Sequence, residues 1–129
     1  MNEKKILVVD DEAPVRDSYK LVFDKVGYTS YLAESGEEAM QMLGGNNIQV
    51  MYLDLNLPGM NGIEICRKVR KDQPMAIIYA VTGYSSLFEL HECREAGFDD
   101  YFTKPMGVSM LTRTSKNAFE KLERWKKKT

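Results

Sequence analysis

The stretch Ile6-Leu7-Val8-Val9-Asp10-Asp11-Glu12-Ala13-Pro14 decides the fold. Its continuous apolar run, without alternation, marks a strand buried on both faces. The run stops at two carboxylates. Pro14 then suits the first turn of a helix, where a missing N–H removes no helical bond. Val15, Tyr19, Val22 and Val26 recur at steps of four, three and four, which makes one apolar helix face. Gly27 follows where helices commonly end.

The same unit repeats to the end of the chain. Tyr28 to Leu32 reads as a second strand, and Ser35 with Glu38 forms a capping-box pattern opening a helix that Gly44-Gly45 closes. Ile48 to Leu53 is a third strand ending at Asp54. Pro58-Gly59 and Asn61-Gly62 mark a loop before a helix over about Ile63 to Lys71. Ala76 to Val81 is a fourth strand ending at Thr82-Gly83. Ser86 and Glu89 repeat the capping pattern, and that helix runs to Gly97. Asp100 to Thr103 is a short fifth strand ending at Lys104-Pro105. A last helix places Leu111, Ala118, Leu122 and Trp125 on one face. Strict alternation of strand and helix implies an α/β fold, a parallel sheet covered by helices on both faces.

The chain of 129 residues fits one domain, read as 1–129 with a tail over 1–4 and a basic end over 124–129. A formal net charge of -1 gives no reason to expect nucleic acid as the main partner. Lys126, Lys127 and Lys128 read as a solvated helix end. Cys66 and Cys93 both fall in predicted helices and join no Cys/His set, which argues against zinc and fits a reducing, cytoplasmic setting. No apolar run approaches the roughly 20 residues of a membrane span.

Ligands of parallel sheets sit at the carboxyl ends of the strands. Those ends here carry Asp10-Asp11, Asp54, Thr82-Gly83 and Lys104-Pro105. Converging carboxylates repel, so the set calls for a cation. Oxygen ligands without neighbouring His or Cys select Mg2+ or a similar ion. Lys104 adds a positive charge and Thr82 a hydroxyl, which together suit a phosphoryl group.

At these residues the chain resembles the receiver domain of bacterial response regulators. Val8-Val9-Asp10-Asp11-Glu12 is similar to the first acidic motif of that family, and Asp54-Leu55-Asn56-Leu57-Pro58-Gly59-Met60-Asn61-Gly62 to its phosphoacceptor loop. Gly27-Tyr28, Ala33 and Ser35-Gly36-Glu37-Glu38-Ala39 resemble its second strand-helix unit. Ala96-Gly97-Phe98-Asp99-Asp100-Tyr101, leading to Lys104-Pro105, resembles its last strand. Asn61 stands where many members have Asp, and Met106 where many have Phe.

The resemblance implies a flavodoxin-like, doubly wound (βα)5 sheet of strand order 2-1-3-4-5. It implies phosphorylation at Asp54, with Asp54, Lys104 and Thr82 as the catalytic set. Mg2+, for which Mn2+ substitutes, would be held by Asp10, Asp11, Asp54 and the Asn56 carbonyl. Lys104 and the Gly83 N–H would bind the phosphoryl group, and Thr82 and Tyr101 would form the switch. Asn56 and Tyr84 would tune its lifetime. The Lys104-Pro105 bond would be cis. The implied partners are a histidine kinase or histidine phosphotransfer protein, and an unknown output partner. No membrane or direct nucleic-acid partner is expected. A homodimer through the fourth helix, fifth strand and fifth helix is one form the output can take. With no linker or helix-turn-helix after the last helix, the expectation is a module acting alone or through a docked partner.

Simpler roles exist for single residues. Asp10-Asp11 can cap a helix, Thr82 can cap its own turn, and Tyr101 can be a core aromatic. His91, among Glu89, Glu92 and Glu95, reads as a surface residue. Other functions predict other sequences. A phosphatase with an aspartyl nucleophile would carry Asp-x-Asp after the first strand. A flavin or nucleotide binder would carry a Gly- or Ser/Thr-rich loop there. A constitutive docking module would not need the full acidic and lysine set.

Overall fold

The computed structural model describes residues 3–83 and 86–126. The strands are β1 (Lys5–Val9), β2 (Thr29–Ala33), β3 (Val50–Asp54), β4 (Ile77–Thr82) and β5 (Asp100–Thr103). The helices are α1 (Ala13–Lys25), α2 (Gly36–Gly45), α3 (Gly62–Asp72), α4 (Leu87–Ala96) and α5 (Val108–Lys126). The strands form one parallel sheet of order β2-β1-β3-β4-β5.

Period-2 alternation splits each strand between two cores. Leu7, Val9, Met51, Leu53 and Ile78 pack with Ile65, Cys66 and Val69 of α3 on one face. Ile6, Val8, Val50, Tyr52 and Tyr79 pack with Tyr19, Val22 and Phe23 of α1 and Leu111, Ala118 and Leu122 of α5 on the other. Such two-sided burial explains the unbroken apolar runs over 6–9, 50–53 and 77–81 inside β1, β3 and β4.

Strand bounds differ from the apolar runs by a residue or two. Ile48 is fully buried yet precedes β3, because an apolar run does not separate strand residues from a buried approach loop. The apolar faces of two helices also need correction. Val26 is 41% and Trp125 49% exposed, so each lies beyond the end of the buried stripe of its helix. Phe23, fully buried, takes the place in α1 expected of Val26. Residues 124–126 belong to α5, and the Lys4 carbonyl accepts from the Thr29 N–H.

Cys66 and Cys93 are buried in α3 and α4. Burial pushes the Cys66 thiol up to about 12 and the Cys93 thiol up to about 11, so both stay protonated at neutral pH. No described helix is long and apolar enough to cross a membrane.

Candidate functional site at the carboxyl ends of the strands

Strand order places the ends of β1, β3, β4 and β5 side by side, and each chain turn sets one polar residue at the rim. Asp10 follows β1, with its N–H bonded to the Ala33 carbonyl. Asp54 closes β3 opposite Val81, and Thr82 closes β4 opposite Thr103. The Lys104 N–H donates to the Thr82 carbonyl at 2.7 Å, which fixes where the lysine leaves β5. The Lys104-Pro105 bond is cis, as the resemblance implied.

Gly62 is required by close approach. A Cβ there would overlap the Asp54 carbonyl oxygen, so only glycine lets α3 start against the end of β3. Asn61 caps that helix: its side chain accepts from the Glu64 N–H, and Glu64 accepts in return from the Asn61 N–H. Asn does here what Asp would do, so the departure from the family pattern leaves the loop intact.

Asp10, Asp54 and Thr82 are buried, at 3%, 4% and 0% exposure. The two aspartates are held alike. Asp10 Oδ1 accepts from the Glu12 N–H at 2.9 Å, and Asp54 Oδ1 from the Asn56 N–H at 3.0 Å. Their other oxygens face Lys104 Nζ, at 2.8 Å from Asp10 Oδ2 and 3.1 Å from Asp54 Oδ2. Glu12 reaches the same ammonium at 3.8 Å. Three carboxylates (Asp10, Glu12 and Asp54) thus share one ammonium, with Asp11 adjoining Asp10 and Glu12.

Burial and this imbalance together set the titration behaviour. Burial pushes the Asp54 carboxyl above its ordinary value and Asp10 adds to the effect, against the Asn56 N–H and Lys104. Burial alone would lower Lys104, but its hydrogen bonds and charge pairing with Asp10 and Asp54 outweigh that and hold it up. The excess of carboxylates over the one ammonium favours an added positive charge.

Ligand oxygens of Asp10, Asp11 and Glu12 lie within 4.8 Å of one another. The geometry therefore adds Glu12, which reading the sequence assigned no role. Its signal was its place beside the aspartate pair, a weak one because acidic residues are also common in first helical turns. Hard oxygen donors without His or Cys fit an ion of the Mg2+ class.

Thr82 and Tyr101 share one sheet face, since Tyr101 pairs with Ala80, two residues before Thr82. Asn56 Nδ2 donates to Thr82 Oγ1 at 3.2 Å. The half-buried Tyr101 ring packs against the cluster of Leu55, Ala80 and Cys93, and its hydroxyl donates to Glu89 Oε1 at 2.9 Å. Gly83 lies exposed just past β4. Tyr84 lies outside the described residues. His91 is exposed and pairs with Glu95 at 3.5 Å, consistent with a surface role.

Residues 6–116 match the family described as response regulator receiver domain. Solved structures agree over nearly the whole chain. A CheY-like receiver domain protein from Methanospirillum hungatei JF-1 is 29% identical with a TM-score of 0.87, covering 95% of this chain and 99% of that one. A putative response regulator from Chloroflexus aurantiacus J-10-fl is 31% identical with a TM-score of 0.83, over 91% and 98%. The BeF3-activated DrrB receiver domain is 28% identical with a TM-score of 0.84, over 92% and 99%. This chain belongs to the response regulator receiver domain family. It is a signalling domain of two-component systems rather than an enzyme acting on a separate substrate.

Proposed function

We propose that Asp54 accepts a phosphoryl group from the phosphohistidine of a kinase or phosphotransfer partner. Asp54 is buried at a strand end, with one oxygen fixed by the Asn56 N–H and the other facing a cation. That observation carries the reading. A carboxylate oxygen attacks phosphorus, the phosphorus–nitrogen bond breaks, and the imidazole leaves. Water later attacks the same phosphorus, releasing phosphate and restoring the carboxylate.

Asp10, Asp11, Asp54 and the Asn56 carbonyl would hold Mg2+, or Mn2+ in its place, with Glu12 beside them. A bound divalent ion would supply charge neutralisation for the incoming phosphoryl oxygens. Lys104 stabilises the same developing charge from the β5 side, and its existing contacts with Asp10 and Asp54 support this role. The Thr82 hydroxyl and the Gly83 N–H receive the phosphoryl oxygens. Thr82 then exchanges its contact with Asn56 for one with the phosphoryl group, and Tyr101 turns inward behind it. Phosphorylation biases two pre-existing states rather than creating one. Asn56 and Tyr84, two residues after Asp54 and Thr82 in the sequence, set the lifetime of the acyl phosphate.

Output leaves through the face of α4, β5 and α5. Support comes from Leu87 and Phe88, which are 84% and 74% exposed on α4. An effector docked there and a homodimer through that face are told apart by sedimentation with and without beryllofluoride. A cytoplasmic setting fits two buried thiols with no partner cysteine in a disulfide.

The test is intact mass after incubation with acetyl phosphate. One phosphoryl adduct is expected with Mg2+ and none with a chelator. An adduct that persists unchanged in Asp54→Asn contradicts the assignment.

A further inference from the structure

Three helices open on one sequence pattern, a Ser or Asn followed three residues later by Glu: Ser35 and Glu38, Asn61 and Glu64, Ser86 and Glu89. In each, the cap side chain accepts from the N–H of that Glu, at 3.2, 3.0 and 3.1 Å. The carboxylates behave differently. Glu64 turns back to the Asn61 N–H and closes the box. Glu38 accepts from the Glu34 N–H at 2.8 Å, still within its own helix entry. Glu89 accepts from the Tyr101 hydroxyl at 2.9 Å, across to β5. Among the described residues, no capping box closes at α4.

A capping box is local and is made by the helix terminus itself. The contact to Tyr101 exists only once β5 lies beside α4. The Glu89 carboxylate is thus bonded to a phenol on the neighbouring strand, while among the described residues the reciprocal bond of a capping box is not formed at α4.

We propose that Glu89 is a latch on Tyr101. It is a positioning residue that holds the ring against Leu55, Ala80 and Cys93 and opposes its inward turn. The idea rests on the switch reading given above. When Tyr101 turns inward, the Glu89 carboxylate is released to the Ser86 N–H and closes the box of α4. The first turn of α4 carries the exposed Leu87 and Phe88, so one hydrogen-bond exchange makes the output face differ between states. The same exchange accounts for a Glu that caps at α3 and spans to another element at α4.

The test is NMR on the full chain, reading the ring of residue 101 and the Ser86 amide through a beryllofluoride titration. In the wild type both signals are expected to move. Glu89→Ala is expected to shift the ring toward its beryllofluoride position before any is added. Its phosphorylation by acetyl phosphate should quicken about fivefold, the equivalent of one hydrogen bond of ordinary net strength. Glu89→Gln keeps an accepting oxygen and is expected to stay near the wild type, which a general loss of helix stability would not allow. Tyr101→Phe removes only the hydroxyl and is expected to match Glu89→Ala, and the double variant to gain no more than either alone. If Glu89→Ala does not fold, Tyr101→Phe decides. A wild-type ring that responds to beryllofluoride, with either variant unchanged in ring position and rate, overturns the latch. A wild-type ring that ignores beryllofluoride overturns the switch reading itself.

Discussion

Two regions of the molecule bury polar groups, and they differ in whether those groups are satisfied. Behind the sheet, Thr114 and Ser115 of α5 face Tyr52 and Tyr79. The Thr114 hydroxyl gives its proton to the Met110 carbonyl at 2.7 Å, so Tyr52 must donate in its 2.7 Å contact with Thr114. Tyr79 donates to the Thr114 carbonyl, and Ser115 to the Thr112 carbonyl. Every hydroxyl proton in this neutral set has an acceptor. At the other site Asp10 and Asp54 are as deeply buried, but their set does not close, because the half-buried Lys104 ammonium faces several carboxylates. Burial of polar groups alone marks structure; unmet charge marks a place for a ligand.

The largest effect should come from removing the unmet charge. Asp10→Ala with Asp11→Ala is expected to weaken Mg2+ binding on the order of 100-fold, since affinity follows the number of charged ligands. Calorimetry reads this directly, and Trp125 at the end of α5 is too remote to report it. Affinity equal to the wild type would erase the contrast between the two regions.

Thr114→Val tests the other side. The Tyr52 hydroxyl would lose its acceptor inside the core, which costs roughly 1–3 kcal/mol. Urea denaturation should show that loss, while Mg2+ affinity and phosphorylation stay as in the wild type. A loss of phosphorylation with the fold intact would make the hydroxyl cluster part of the site.

A smaller, opposite effect is expected from Asp54→Asn without divalent ions. The folded Asp54 carboxyl lies above its ordinary 3.8, so its ionised form destabilises the native state above that folded value. Removing the charge should raise stability at pH 7 by about 1 kcal/mol, because Lys104 keeps Asp10 as a partner. The gain should fade as pH falls through the folded value toward 3.8, where the wild type protonates. A gain that grows on acidification would reverse the sign of the argument. The smallest effect concerns lifetime: Tyr84→Ala should speed decay of the acyl phosphate by a modest factor, and equal decay in the two proteins would remove Tyr84 from the account.

Much of the site was legible because each of its residues ends an apolar run. Asp10, Asp54, Thr82 and Lys104 stand out where hydrophobic stretches stop, and parallel strands must bring those ends together. The cap at Asn61 and Glu64 has the same local character as those at Ser35 and Ser86, with Asn in place of Ser. Glu12 at Lys104, Tyr52 at Thr114 and Tyr101 at Glu89 were not legible. These contacts join different elements, 62 residues apart for Tyr52 and Thr114 and 12 for Tyr101 and Glu89, and no period or motif encodes them. Trp125 was misplaced because helical periodicity runs on past the point where the sheet stops covering α5.

The most direct test of the account is where the phosphoryl group resides. Protein treated with acetyl phosphate and Mg2+ is reduced with borohydride, which converts an aspartyl phosphate to homoserine, then digested and sequenced by mass spectrometry. The account predicts homoserine at position 54 and at no other aspartate, dependent on Mg2+. Homoserine at position 10 or 11, or an adduct on His91, would contradict it.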